Sequence, residues 1–189
     1  MNSHNEQMLL DLSKLTIQHL LIVQNELLLL DKNILSQPRA DGGWSISECI
    51  DHLNTYYQHY LPLIELATQQ NRNGVDSKDF HSSWLGKYFV KMMDPKVGNK
   101  KYKAIKRHLP NKLSDPYDKL NRFIAYQQRF LLVIDNCKYS DLNAAKVSTS
   151  ISRFIRLSLG DTIHFLAVHN ERHIKQALNI LSCMPKLCT

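Results

Sequence analysis

Residues 157–181 read LSLGDTIHFLAVHNERHIKQALNIL, and the stretch carries the signature of one long amphipathic helix. Ile163, Leu166, Ile174, Ala177 and Leu181 recur at helical spacing on one face. The helix is expected to open at LGDT, where Gly160 breaks the preceding chain and Asp161 caps, and to run to about Ser182. A helix advances roughly 100° per residue, so His169 and His173 lie about 40° apart, one turn from each other. That spacing lets a helix present two imidazoles to one metal ion. Gln176 and Thr162 share the strip, which borders the apolar face. Glu171 is turned about 200° from His169 and is expected to point outward. The pattern is therefore not HExxH, and Glu171 is not placed as a protease-type general base. A polar decoration on an ordinary helix is the competing reading of the same residues.

Three further segments have helical periodicity. The first runs from about Asn5 to Leu35, with Leu9, Leu12, Ile17, Leu20, Leu21 and Leu28 as its apolar positions. It stops before Gln37 because Pro38 disfavours helix in the residue ahead of it. The second begins at WSISE (44–48), where Ser45 caps and Glu48 can reach back in a capping box. It extends to about Gln70, with a kink expected at Pro62. The third starts at SDPYDKL (114–120), with Asp115 or Ser114 as cap and Pro116 at the first helical position, and passes Phe123, Phe130 and Ile134 to about Asn136.

Four long amphipathic helices without a convincing strand pattern predict an all-α four-helix bundle. A long link, residues 71–113, joins the second and third helices. WLGKYFVKMM (84–93) within it reads as a short extra helix. FIRLSL (154–159) reads as an extended stretch leading into the last helix.

The chain of 189 residues suits one domain, 1–189. Its 43% hydrophobic and 22% charged residues are globular proportions. No stretch is apolar enough to span a membrane, and MNSHNEQ lacks the basic start of a signal peptide. Cys49, Cys137, Cys183 and Cys188 follow no metal-ribbon spacing and read as reduced, mostly buried thiols of a cytoplasmic protein. The net charge of +7 is concentrated: nine basic residues between Gly86 and Lys112, opposed only by Asp94, give a local +8. KVGNKKYKAIKRHL within this segment has a composition that can meet a polyanion. A solvated surface loop explains it better, and nucleic acid is not expected as a partner.

A third imidazole for the HNERH pair is available in CIDHLNTYYQHY on the second helix. A helical wheel places Glu48, Asp51, Asn54, Gln58 and Glu65 in a polar sector, opposite Ile46, Ile50, Leu53, Tyr57 and Ile64. His52 falls on the rim with Cys49, Tyr56 and Leu63, a position that either lines a cleft or lies half-exposed and inert. His59, two turns on, reads as a packing neighbour and His164 as exposed. His4, His19, His81 and His108 stand at no informative spacing.

Together, WSISECIDHL, SDPYDKL and LSLGDTIHFLAVHNERHIKQALNIL resemble the DinB-like (YfiT-type, damage-inducible) superfamily from about Leu9 to Leu181. The resemblance implies an up-down-down-up bundle with a long second connection. It also implies a metal triad of His52, His169 and His173, with Gln176 as the glutamine following the pair and Trp44 as the tryptophan opening the second helix. A divalent ion is expected there, zinc or nickel first, iron or manganese as alternatives. Relatives of this type include transferases that use a low-molecular-weight thiol and metal-dependent hydrolases, both acting on small molecules, and homodimers are common among them. No nucleophile–base grouping is readable, so the chemistry would rest on a metal-activated water or thiolate. The alternative is a non-enzymatic protein that binds a small ligand or polyanion.

Overall fold

Two short-range caps set the central helices. The Ser45 hydroxyl accepts the Glu48 amide at 3.2 Å, and the Glu48 carboxylate accepts the Ser45 amide at 2.8 Å. This capping box opens helix α3, Ile46–Gln70. Pro62 lies inside α3 without ending it. Asp115 caps helix α5, Pro116–Asn136, by accepting the Tyr117 amide. The computed structural model describes residues 3–71, 79–97 and 102–184. Lys100 and Lys101 of the basic stretch, and Cys188, lie outside them. The remaining helices are α1 (Ser3–Asn25), α2 (Lys32–Ser36), α4 (Trp84–Met93) and α6 (Leu159–Ser182).

The long helices α1 and α3 each pack against both α5 and α6. Residue pairs give their directions. Asn54 donates to the Lys119 carbonyl and Arg129 pairs with Glu65, so α3 and α5 run parallel. His52 meets His169 and Tyr60 meets Phe165, so α3 and α6 are antiparallel. The turn following α5 packs on α1, while Tyr117 at the start of α5 bonds the Leu30 carbonyl beyond the end of α1. These two helices are therefore antiparallel. The result is the up-down-down-up bundle that the family resemblance implies.

Four expectations need correction. The first helix is not continuous to Leu35: α1 ends at Asn25, a tight turn covers Leu27–Leu29, and α2 follows. The break buries Leu27 and Leu35 completely and leaves Leu29 exposed. It also turns the Leu30 carbonyl toward Tyr117 at 2.9 Å. The inward face of α1 is Leu9, Leu12, Thr16, His19 and Val23, whereas Ile17 and Leu21 face outward.

The last helix is capped by Ser158, whose hydroxyl accepts the Asp161 amide at 3.1 Å. Gly160 and Asp161 lie within its first turn. Asp161 is fully buried because it has distant work: its carboxylate accepts from the hydroxyls of Ser82, Ser83 and Ser158 and from the Ser83 amide. That junction fastens the start of α4 onto α6.

A small antiparallel ribbon is present, β1 (Lys146–Ser148) and β2 (Arg156–Ser158), with Val147 opposite Leu157. Its strands are too short to show an alternating pattern. Finally, the polar sector of α3 faces water only in its later part, where Gln58 is exposed. Glu48, Asp51 and Asn54 are all buried, because the link passes over this side and the Asn111 amide donates to Asp51 at 2.8 Å. Removing the α3 cap by Ser45→Ala should cost about 1 kcal/mol, read as a lower urea midpoint with unchanged slope.

Candidate metal centre

The antiparallel crossing of α3 and α6 brings His52 against both histidines of HNERH. Ring centroids lie 5.2 Å apart for His52–His169, 4.6 Å for His52–His173 and 4.7 Å for His169–His173. One ligand atom from each falls within 4.8 Å of the others. All three are buried, His52 included. The rim position read from the wheel becomes an interior one because α6 and the link cover it.

Neighbours fix the ring orientations. His52 Nδ1–H donates to the His108 carbonyl at 2.6 Å, which leaves its Nε2 bare and 3.3 Å from His169 Nε2. His173 Nδ1–H donates to the Gln176 amide oxygen at 3.0 Å. The Nδ1 of His169 has no partner among the described residues. Pinning of the outer ring nitrogen by a carbonyl or amide is the usual support of a metal-ligating histidine. Three facing imidazoles, two of them with protons held outward, fit a divalent cation that takes nitrogen ligands.

Burial also keeps the rings neutral. It pushes the His52 pKa down to about 4, against the raising effect of its bond to the His108 carbonyl. Burial, and next the neighbouring histidines, hold His169 and His173 well below the ordinary histidine value. Neutral imidazole is the form that binds metal. The sign for stability follows. Each folded pKa lies below the unfolded value of about 6.5, so the unfolded chain binds more protons below that pH. Stability is therefore full above pH 6.5 and falls as pH drops toward 4. His52 alone is worth about 3 kcal/mol when that window is fully crossed. Urea midpoints of the metal-free protein should decline steeply between pH 7 and pH 4.5.

Aromatic residues close the site. Trp44 stands 4.7 Å from the His52 ring and 5.9 Å from His173. Tyr56 stacks on His108 at 3.9 Å and meets His169 edge-on at 4.3 Å. His108, which lacked any sequence signal, is buried. Its Nδ1–H donates to the Thr55 hydroxyl at 2.9 Å, while that hydroxyl donates to the His52 carbonyl. The basic link is thus not wholly a solvated loop; one turn of it supports the centre. Tyr56, one helical turn after His52, was within reach of sequence reasoning. His108 belongs to a distant segment and was not.

The other histidines take different places. His59 lies beside Tyr60 and His108, outside the triad, and His81 is exposed. His164 is half-buried, not exposed. His19, buried on α1, donates to Glu171 at 2.7 Å, and Lys175 pairs with the same carboxylate at 2.8 Å. These partners, His19 first, pull the Glu171 pKa down to about 2. Glu171 points away from the triad as expected, but toward α1 and not into water. Asn170, between the two α6 ligand candidates, is buried and donates to Tyr57 and Gln127.

The triad opens into a cavity of about 840 Å³. Tyr56, Tyr60, Phe89, Met93 and Phe165 form its apolar wall, and Arg39, Lys103, Arg172 and Lys175 contribute cationic groups. Its size lies in the range of small-molecule sites. Cys49 and Cys137 are buried and Cys183 is exposed, none of them lining this cavity.

The model of the DinB superfamily matches residues 18–177, a span that contains all three histidines. The chain belongs to the DinB superfamily. No curated protein and no solved structure matches it. The sequence resemblance is therefore established at the level of the family, and the geometry adds to it a DinB bundle whose three converging histidines can hold a metal ion. No described helix is long and apolar enough to cross a membrane.

Proposed function

We propose that this DinB protein holds a divalent ion, zinc or nickel before iron or manganese, on His52, His169 and His173, which would favour the thiolate of a low-molecular-weight thiol, so that its sulfur bonds to the carbon of a small electrophilic substrate as a leaving group such as halide departs and the thiol proton passes to solvent. The observation that carries the reading is the convergence of three buried imidazoles, two of which have their Nδ1–H fixed by the His108 carbonyl and by Gln176. An ion held by three imidazoles with an open position supplies Lewis acidity toward a thiol or a water.

The chain's own groups favour the thiol. Asp41 is the only carboxylate among the described residues lining the cavity, and it pairs with Arg39 at 2.8 Å. Among the described residues lining the cavity, no other carboxylate stands ready as the general base a hydrolase would use. The cationic side chains along the opening suit an anionic thiol. Tyr56, Phe165 and Trp44 exclude water around the triad and give an apolar substrate a surface to lie on.

Hydrolysis remains the second reading, since it requires the same ligands. Metal-loaded and metal-free protein should be compared with a thiol plus an aryl halide, and separately with ester and amide panels. Metal-dependent thiol consumption supports the proposal. Metal-dependent hydrolysis without thiol transfers the reading to a hydrolase, and inactivity of fully loaded protein in every panel leaves a ligand-binding role.

A further inference from the structure

A second pocket, of about 220 Å³, lies behind the 42–44 segment that also walls the triad cavity. Ser45, Ser47, Glu48, Lys112, Ser114 and Lys119 line it. Lys119 is its unusual member. Only 2% of the residue is exposed, yet among the described residues its ammonium makes no hydrogen bond or ion pair, and only its backbone is engaged.

An ammonium so nearly enclosed and without a partner is disfavoured unless an anion stands beside it. Its place aggravates this, because a lysine near the opening of α5 runs against the helix dipole. The surroundings supply hydroxyls and the positive end of α3 but little counter-charge. Glu48 is the one carboxylate lining the pocket, and it is committed to the capping box through the Ser45 amide. Lys112 offsets its charge. The pocket therefore combines a net positive charge, four serine hydroxyls and the N-terminus of a 25-residue helix. Such an arrangement is complementary to an oxyanion.

We infer that this pocket is an oxyanion site, with Lys119 as its central charge, for inorganic phosphate or the phosphoryl group of a small ester. The site is independent of any ion at the triad. The bound anion pairs the Lys119 ammonium, accepts from the serine hydroxyls and takes the place of water in the cavity. Because Gly42, Gly43 and Trp44 wall both cavities, its occupancy steadies the wall that carries Trp44 over the triad.

The test is calorimetric titration of the full chain with inorganic phosphate, and in parallel with glycerol phosphate, at constant ionic strength. One anion per chain is expected, together with a rise in melting temperature. Lys119→Met should weaken binding at least tenfold while Lys119→Arg retains most of it. Tighter binding of the ester than of phosphate would assign the pocket to an organic phosphate, and the reverse order to the free ion. Should Lys119→Met fail to fold, the Lys119 side-chain resonance of the wild-type chain gives the same information, shifting on phosphate addition. No saturable binding, or binding equal in wild type and a folded Lys119→Met, overturns the inference. The latter outcome would place the anion elsewhere, for example on a metal at the triad.

Discussion

His169→Ala is expected to abolish metal retention through dialysis, with affinity lowered by well over 100-fold. His169 is the most enclosed of the three candidate ligands, stacked on Phe165 at 5.5 Å and edge-on to Tyr56. Its loss leaves two imidazoles on different helices and a void that no neighbouring side chain fills with a donor. Gln176→Ala should behave differently. Gln176 only orients His173, and loss of such an outer partner typically lowers metal affinity by about 10- to 100-fold. A graded pair of effects, measured by competition with a chromophoric chelator, distinguishes a ligand from its support. Equal and small losses in both variants would mean that the histidines pack and do not ligate.

Gly86→Ala is expected to destabilise the fold by about 3 kcal/mol. Alanine is ordinarily preferred to glycine within a helix by about 1 kcal/mol, so propensity alone predicts the opposite sign. Here a Cβ would stand 2.0 Å from the Asp161 carboxyl group. That carboxylate cannot swing aside, since it is fully buried and held by Ser82, Ser83 and Ser158. Relief requires α4 to lift from α6. Phe89 and Met93 of α4 wall the triad cavity, so ligand affinity should fall along with stability. Urea unfolding of Gly86→Ala beside wild type measures the first effect directly.

What the sequence disclosed, and what it concealed, divides by the range of the interactions. The α3 capping box, the Pro116 start of α5 and the short α4 helix rest on residues within a few positions of each other, and periodicity located them. The HNERH pair was legible for the same reason. His52 was a candidate from its place on the second helix and was supported by the family resemblance, while its depth of burial depends on α6 and the link crossing above it. The break after α1 was hidden by Leu27–Leu30, a run that presents an apolar side chain in any register. Asp161 looks like a helix cap from its neighbours, and only its bonds to Ser82 and Ser83 reveal a clamp. His108, His19 and the partners of Glu171 are joined by contacts that cross between elements. No local pattern announces them.

The central claim is that His52, His169 and His173 together hold a divalent ion, and elemental analysis of the wild-type chain, purified without a polyhistidine tag, tests it most directly. The account predicts close to one equivalent of zinc, nickel or another divalent metal per chain, removed by chelation and restored by reloading at pH 7. Protein that stays folded yet takes up no metal after reloading would contradict it, and would leave the three converging imidazoles as core packing.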